Sequence, residues 1–339
     1  MKRTRLFSCV LAWVTVMLLI PNAMQAAKCY PHGDVTYDSI VNINDVTRII
    51  DHLLQGSLSP YADIDGDMKV TIDDVTQLID HLLMGKGDDD WDWAYTGPEF
   101  PDSAMVFEVN GFRFAMMPVG GGTLNTGFSE IVLRDFYMSQ TEVTVGLWKA
   151  VMGTKPRSLF AYYQSPWQPV DGAMWWEWQD FISRLNELTG CEFHMPTCAQ
   201  WRYAALGGKY THGYRYAGSN DIDEVAWYMY NYPAIYDAGG MANGVALVGL
   251  KKPNELGLYD MSGNVAEWMY NGFLNDGELL IPPLDDPAAV NERQKAIYGG
   301  SIKSGANECE LSYGIYLYPG YLQYRTGLRL ALGPVLSND

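Results

Sequence analysis

The sequence predicts a loop-rich α+β domain preceded by a small all-helical unit built from a duplication. Three observations predict it. The segment from Asp45 to Gly56 recurs almost unchanged from Asp74 to Gly85. The chain holds 34 glycines and 17 prolines, and beyond about residue 105 its apolar runs are short and separated by long loops. Within that larger part only three stretches keep a clear helical period: Thr144 to Met152, Met174 to Leu188, and a segment from Thr197 to Gly207-Gly208.

The chain has 339 residues, 48% of them hydrophobic, enough for one large core and a smaller one. Its 23 basic residues face 40 acidic ones, a net charge of −17. Such a chain repels phosphates and attracts divalent cations, which excludes nucleic acid and anionic lipid as partners. Of these charges, 15 acidic and 4 basic residues fall between positions 28 and 100, so the acidity is local.

Residues 1–26 read as a secretory signal. Lys2, Arg3 and Arg5 precede the apolar run from Leu6 to Ile20, and small residues follow, with cleavage expected after Ala26. The run is short for a membrane span, and no later stretch reaches about 18 apolar residues. The product is expected to be periplasmic, cell-surface or secreted. Removal of the signal leaves Cys29, Cys191, Cys198 and Cys309, and an oxidising compartment would allow three pairings among them.

Residues 28–86 carry the duplication. Val46, Ile49, Ile50, Leu53 and Leu54 fall at helical spacing, as do Val75, Leu78, Ile79, Leu82 and Leu83. Gly56 and Gly85 are the expected stops. Two short amphipathic helices bury their faces against each other. A spaced set of oxygen donors precedes each helix. The second loop offers Asp63, Asp65, Asp67, the carbonyl of Lys69, Thr71 and Asp74 at positions 1, 3, 5, 7, 9 and 12, the pattern that wraps calcium. The first offers Asp34, Thr36, Asp38, the carbonyl of Ile40, Asn42 and Asp45, with one carboxylate fewer, so weaker binding is expected there. Thr71 and Asp74 also have the spacing of a helix cap.

This loop–helix duplication, without an entering helix before either loop, resembles a type I dockerin module. The resemblance implies calcium-dependent folding and a cohesin-like partner. Ser39 and Met68 stand at loop position 6, where glycine is usual, and Ile43-Asn44 and Ile72-Asp73 stand where cohesin-reading dockerins often carry Ser-Thr.

Residues 87–104 read as a polar linker that opens with Asp88, Asp89 and Asp90. From 105 to 333 the chain is rich in aromatics and glycine. Val106 to Gly111 and Phe112 to Met117 form a predicted hairpin, with Gly120 to Gly122 closing it. Trp175, Trp178, Trp201, Trp227 and Trp268 are expected to fill core. Tyr313, Tyr316, Tyr318, Tyr321 and Tyr324 crowd a segment bearing Gly and Pro, a composition suited to an adaptable protein or glycan contact surface.

Six motifs in this part occur in one order: Glu142-Val-Thr144, Pro196-Thr-Cys-Ala-Gln-Trp-Arg-Tyr-Ala-Ala205, Pro253 to Asp260, Met261-Ser-Gly-Asn-Val-Ala-Glu-Trp268, Gly299-Gly-Ser301 and Gly327-Leu-Arg329. Together they resemble the formylglycine-generating enzyme, or sulfatase-modifying factor, family. The resemblance implies a C-type-lectin-like core with little regular secondary structure. It also implies a calcium turn with carboxylates from Asp260 and Glu267 and carbonyls from Gly263 and Val265.

The family's oxidases use two cysteines after the Gly-Gly-Ser motif to bind copper and activate oxygen. Here the first position is Ser304 and the second Cys309. A hydroxyl does not replace a thiolate towards Cu(I), so copper is not expected and Cys309 reads as a structural remnant. Another branch of the family uses iron and histidines, but this domain has only His194 and His212, neither at a ligand spacing.

The sequence thus points to an exported binding or accessory protein: a dockerin-like module tethering a non-catalytic family domain. The alternatives are a divergent oxidase acting on a cysteine or serine of exported sulfatases, and a lectin-like receptor using the Tyr-rich segment.

Overall fold

The computed structural model describes residues 33, 35–36, 41–55, 62, 64, 69–84, 95–127, 130–156, 165–232, 244–270, 294–320 and 325–334. The expected signal sequence, Cys29, the start of the linker, Tyr321 and Tyr324 lie outside them. No described helix is long and apolar enough to cross a membrane.

The duplication folds as two helices of equal length, α1 (Ile43–Gln55) and α2 (Ile72–Met84). Val46 and Ile49 of α1 pack with Val75 and Leu78 of α2, and Val35, Ala62 and Ile64 complete this small core. The buried stripe is narrower than the apolar pattern: Leu54 and Leu83 stay 80% and 78% exposed. A two-helix unit has one internal face, and a wider stripe has nothing further to pack on.

In the large domain β1 (Met105–Val109) and β2 (Phe112–Val119) form the expected antiparallel hairpin. It is closed by Asn110-Gly111, both in left-handed conformation, and not by the Gly120–Gly122 run. That run instead leads into β3 (Gly122–Asn125), which pairs with β4 (Glu130–Leu133). The main sheet has five strands in the order β1-β2-β5-β11-β6, with β5 at Phe136–Ser139, β6 at Phe193–His194 and β11 at Ala331–Leu332. A second sheet has the order β10-β7-β8-β9, from Thr326–Gly327, Ala266–Trp268, Lys295–Tyr298 and Gly314–Leu317. The β10–β7 pair is parallel and the others in that sheet are antiparallel.

The three periodic stretches are helices with the anticipated ends. For α3 (Val145–Met152), the Thr144 hydroxyl accepts from the Leu147 N–H and Gly153 is left-handed. For α4 (Trp175–Thr189), the Glu177 carboxylate accepts from the Met174 N–H and Gly190 is left-handed. For α5 (Cys198–Ala205), Thr197 and Gln200 form a reciprocal capping box. A short α6 (Ile222–Val225) was not signalled by period, being a single turn capped by Asp221.

Trp148 meets Trp178 edge-on at 5.1 Å and stacks on Phe181 at 5.3 Å, fixing α3 to α4. Trp175, Trp178, Trp201 and Trp268 are buried as expected, whereas Trp227 is half-buried under the Lys251 ammonium. Cys191 and Cys309 are free thiols, and Cys198 is fully buried.

One core residue is unexpected. Lys295 of β8 is buried, its ammonium 4.6 Å from the Trp175 ring and 5.8 Å from the Tyr270 ring. Burial pulls its pKa from 10.5 down to about 8. Between those values the unfolded chain holds a proton that the folded chain has shed, so stability rises with pH across that window. In urea denaturation from pH 8 to 10.5, Lys295→Met is expected to remove this rising component while the wild-type protein keeps it.

Candidate functional site

In the duplicated unit each loop closes on the carboxylate at its last position. Asp45 and Asp74 are fully buried. Asp45 accepts through Oδ1 from the Thr36 N–H and hydroxyl at 2.9 and 3.0 Å, and through Oδ2 from the Asn42 N–H at 2.8 Å. Asp74 accepts from the Ile64 and Thr71 N–H groups, both at 2.6 Å. The Asn42 and Thr71 side chains in turn cap α1 and α2 by accepting from the Asn44 and Asp73 N–H groups. Capping and loop closure are therefore both present. Asp34, Asp38, Ile40, Asp63, Asp65 and Asp67 lie outside the described residues, and Lys69 sits at the loop's described end.

In the large domain, the 260–267 segment is a tight turn, with Asp260, Gly263 and Asn264 in left-handed conformation. Only glycine fits at 263, because a Cβ there would lie 2.3 Å from the Trp227 carbonyl oxygen. Asn264 holds the turn from inside: its side-chain oxygen accepts from the Ala246 N–H at 3.0 Å and its carbonyl from the Ile302 N–H. Val265 is fully buried, its side chain close against Gly327.

Glu267 is already committed. It accepts from Arg329 Nε at 3.1 and 3.2 Å and from the Trp201 indole at 2.6 Å. Arg329 also donates to the Ser139 and Tyr259 carbonyls at 2.8 and 2.6 Å. Asp260 accepts from the Gly249 N–H through Oδ2, whereas its Oδ1 is buried without a partner. Both oxygens of Glu142 are buried without a partner. Burial first, then the charge of Asp260, raises the Glu142 pKa well above the carboxylate range; burial lifts Asp260 to about 6. No group of three or more His, Cys, Asp or Glu side chains among the described residues is arranged to hold a metal.

The sequence marked Glu142 and Arg329 only as parts of motifs. For Arg329 the signal is a charge between Leu328 and Leu330, in an apolar segment that proves to be core; Glu142, among Gln140, Thr141 and Thr144, carries no such signal.

The Gly-Gly-Ser motif leads out of β8 to an open cavity of about 800 Å³. Ser301, Lys303, Ser304, Tyr298, Tyr313 and Arg325 contribute to its wall. Ser304 Oγ accepts from the Ser301 N–H at 3.1 Å. Arg325 is buried and paired with Asp171 at 2.7 Å. Cys309 does not share this wall. It is fully buried with Tyr216, Val225 and Tyr228, and a Cβ on Gly300 would lie 2.8 Å from its sulfur. Burial and the charge of Glu308 push the Cys309 thiol up to about 12, so the sulfur is a neutral thiol. Ser304 and Cys309 do not fit a thiolate copper site.

Tyr313, Tyr316 and Tyr318 are exposed, Tyr313 at the cavity. The His194 ring nitrogens face the Met195 and Gly333 carbonyls at 2.8 and 3.0 Å. His212 pairs with Glu255 on the surface.

Residues 109–333, about two thirds of the chain, match the model of the sulfatase-modifying factor enzyme 1-like domain. The chain belongs to this family. Residues 32–84 match the type I dockerin domain, so a dockerin module precedes the sulfatase-modifying factor domain. The chain is 29% identical over 244 residues to a chaperone protein, LppX, of Paenibacillus barcinonensis, covering 58% of this chain and 81% of that one. The fold resembles Treponema denticola variable protein 1, with a TM-score of 0.56 and 23% identity over 69% of this chain and all of that one. It also resembles CarF, with a TM-score of 0.50 and 22% identity over 65% of this chain and 98% of that one.

Removing one member of a buried ion pair strands the other charge, at a cost of about 3–5 kcal/mol. Arg329→Met is expected to destabilise the sulfatase-modifying factor domain by that order in chemical denaturation, and Glu267→Gln in the same chain to recover part of the loss.

Proposed function

We propose that this chain is an exported accessory protein whose calcium-loaded dockerin module tethers a sulfatase-modifying factor domain that binds a partner without oxidising it. One observation carries the reading. The position of the family's first catalytic cysteine holds Ser304 on the cavity wall, while Cys309, at the second, is a neutral thiol packed into a separate cluster. A thiolate pair cannot form from a hydroxyl and a buried thiol.

The cavity falls within the size range of ligand sites and supports a binding role. A protein ligand is supported by the likeness to the Paenibacillus relative, a chaperone protein. A glycan ligand is the second reading, supported by the exposed Tyr313, Tyr316 and Tyr318. The dockerin module supports a cohesin-like partner, and its equivalent residues Ile43 and Ile72 are 65% and 64% exposed, apolar and available for docking.

Catalysis is tested by mass spectrometry of a Cys-x-Pro-x-Arg peptide incubated with the reduced, copper-loaded protein, calcium and oxygen. The peptide is expected to remain unchanged; conversion of its cysteine to an aldehyde overturns the non-catalytic reading. Calcium dependence is tested by circular dichroism of the full chain. Chelator is expected to remove the helical signal of α1 and α2 and excess calcium to restore it, since metal binding and folding are coupled in such small units. Asp74→Ala is expected to abolish the restoration in the second half of the module.

A further inference from the structure

The cavity of about 800 Å³ beside β8 carries hydrogen-bond donors in excess along one wall. Ser301 and Ser304 each accept a backbone N–H of their own turn: Ser301 Oγ takes that of Lys303 at 3.3 Å, and Ser304 Oγ that of Ser301 at 3.1 Å. Each hydroxyl keeps its own proton to donate. The two oxygens lie 3.5 Å apart, so one hydroxyl serves the other only weakly and the pair offers at least one proton to the cavity. Lys303, between them in sequence, is exposed and lines the same wall. Among the described residues no carboxylate lies within ion-pairing distance of its ammonium. Burial first, then the charge of Arg325, hold the Lys303 pKa below the usual lysine value. Asp171 acts the other way, but it is bonded to Arg325 at 2.7 Å. Two cations thus share the wall with one carboxylate, Glu308, whose Oε2 accepts from the Gly305 N–H at 2.7 Å. In a chain of net charge −17 this wall is a local exception.

We propose that this cavity binds a peptide segment through a carboxylate, received by the Lys303 ammonium and the Ser301 and Ser304 hydroxyls and flanked by Tyr313 and Ile315. This rests on the reading of the domain as a binding module and names what the module takes. An ammonium beside hydroxyls offers charge-assisted hydrogen bonds to an acceptor-only group. The hydroxyl at 304, which removes a copper ligand, supplies a donor in its place. A carboxylate fits better than a phosphate, because one ammonium is open and Glu308 on the same wall opposes a second negative charge. A cationic segment is repelled by Lys303 and Arg325. A peptide fits better than a neutral sugar, whose hydroxyls require acceptors as well as donors. Apolar surface for the residues flanking the carboxylate is at hand. The Met229 N–H donates to the Ser304 carbonyl at 3.1 Å, which brings the exposed Met229 and Tyr230 to the same turn.

The test exposes the immobilised full-length chain, with calcium present, to two pools of random acetylated hexapeptides, one amidated and one with free C-termini. Retained peptides are sequenced by mass spectrometry. Enrichment of Asp or Glu over Lys and Arg in the amidated pool is expected, and it places the carboxylate on a side chain; retention confined to the free pool places it at a chain end. Lys303→Met is expected to weaken binding of the retained peptides about tenfold, the loss of one charge-assisted hydrogen bond, with the melting temperature of the large domain unchanged. Lys209→Met, which removes the same charge outside this cavity, is expected to bind them as wild type does. Enrichment of neutral or basic residues, or equal binding by Lys303→Met and wild type, overturns the carboxylate site and leaves the binding role of the domain standing. Retention of neither pool overturns the proposal, and retention of a uronic-acid oligosaccharide in their place moves the domain to the glycan reading. None of these outcomes touches the non-catalytic reading, which the aldehyde assay decides.

Discussion

The large domain is organised around one buried guanidinium. Arg329 reaches Glu267 of β7, the Ser139 carbonyl of β5 and the Tyr259 carbonyl of the adjoining turn, so a single side chain ties the two sheets to the turn between them. The planar fork of arginine is suited to this, since it presents several donors in fixed directions. Trp201 from α5 adds a fourth element by donating to the same carboxylate. The local strands are too short to align one another, and β7, β10 and β11 have only two or three residues each. Positional accuracy comes from side-chain hydrogen bonds that a low-dielectric interior strengthens.

This division explains what could be read beforehand. Helices α3, α4 and α5 were legible because their period, caps and glycine stops are local chemistry, and the observed ends fall within a residue or two of the expected ones. The β1–β2 hairpin was legible for the same reason, although its closing turn was misplaced: Asn110-Gly111 is the stronger turn signal. The pairing of β11 between β5 and β6 was not legible, because no local pattern encodes a partnership across almost two hundred residues. The site divides likewise. The absence of a cysteine at 304 is a matter of counting, but the burial of Cys309 behind Gly300 of the cavity wall depends on the Tyr216–Val225–Tyr228 cluster. The isolation of Glu142 is a property of its surroundings, so the motif containing it gave no warning.

The two units solve the problem of a small core differently. The dockerin module buries only a narrow stripe of each helix and closes its loops on Asp45 and Asp74, whose oxygens collect backbone donors that would otherwise be stranded. The large domain has ample apolar surface and uses buried charge to select one arrangement of many irregular segments. Lys295, held between aromatic faces, belongs to the same design.

Residues 325–332 carry a consequence for biosynthesis. They supply β10, which joins β7 at one border of the second sheet, and β11, which fills the gap between β5 and β6 in the first, together with Arg329 between them. Until that octapeptide has been made, neither sheet is complete and Glu267 has no counter-charge. Folding of the large domain therefore cannot run to completion before residue 332 has left the ribosome. The chain stays open and slow to close until then, as expected where decisive contacts join distant positions.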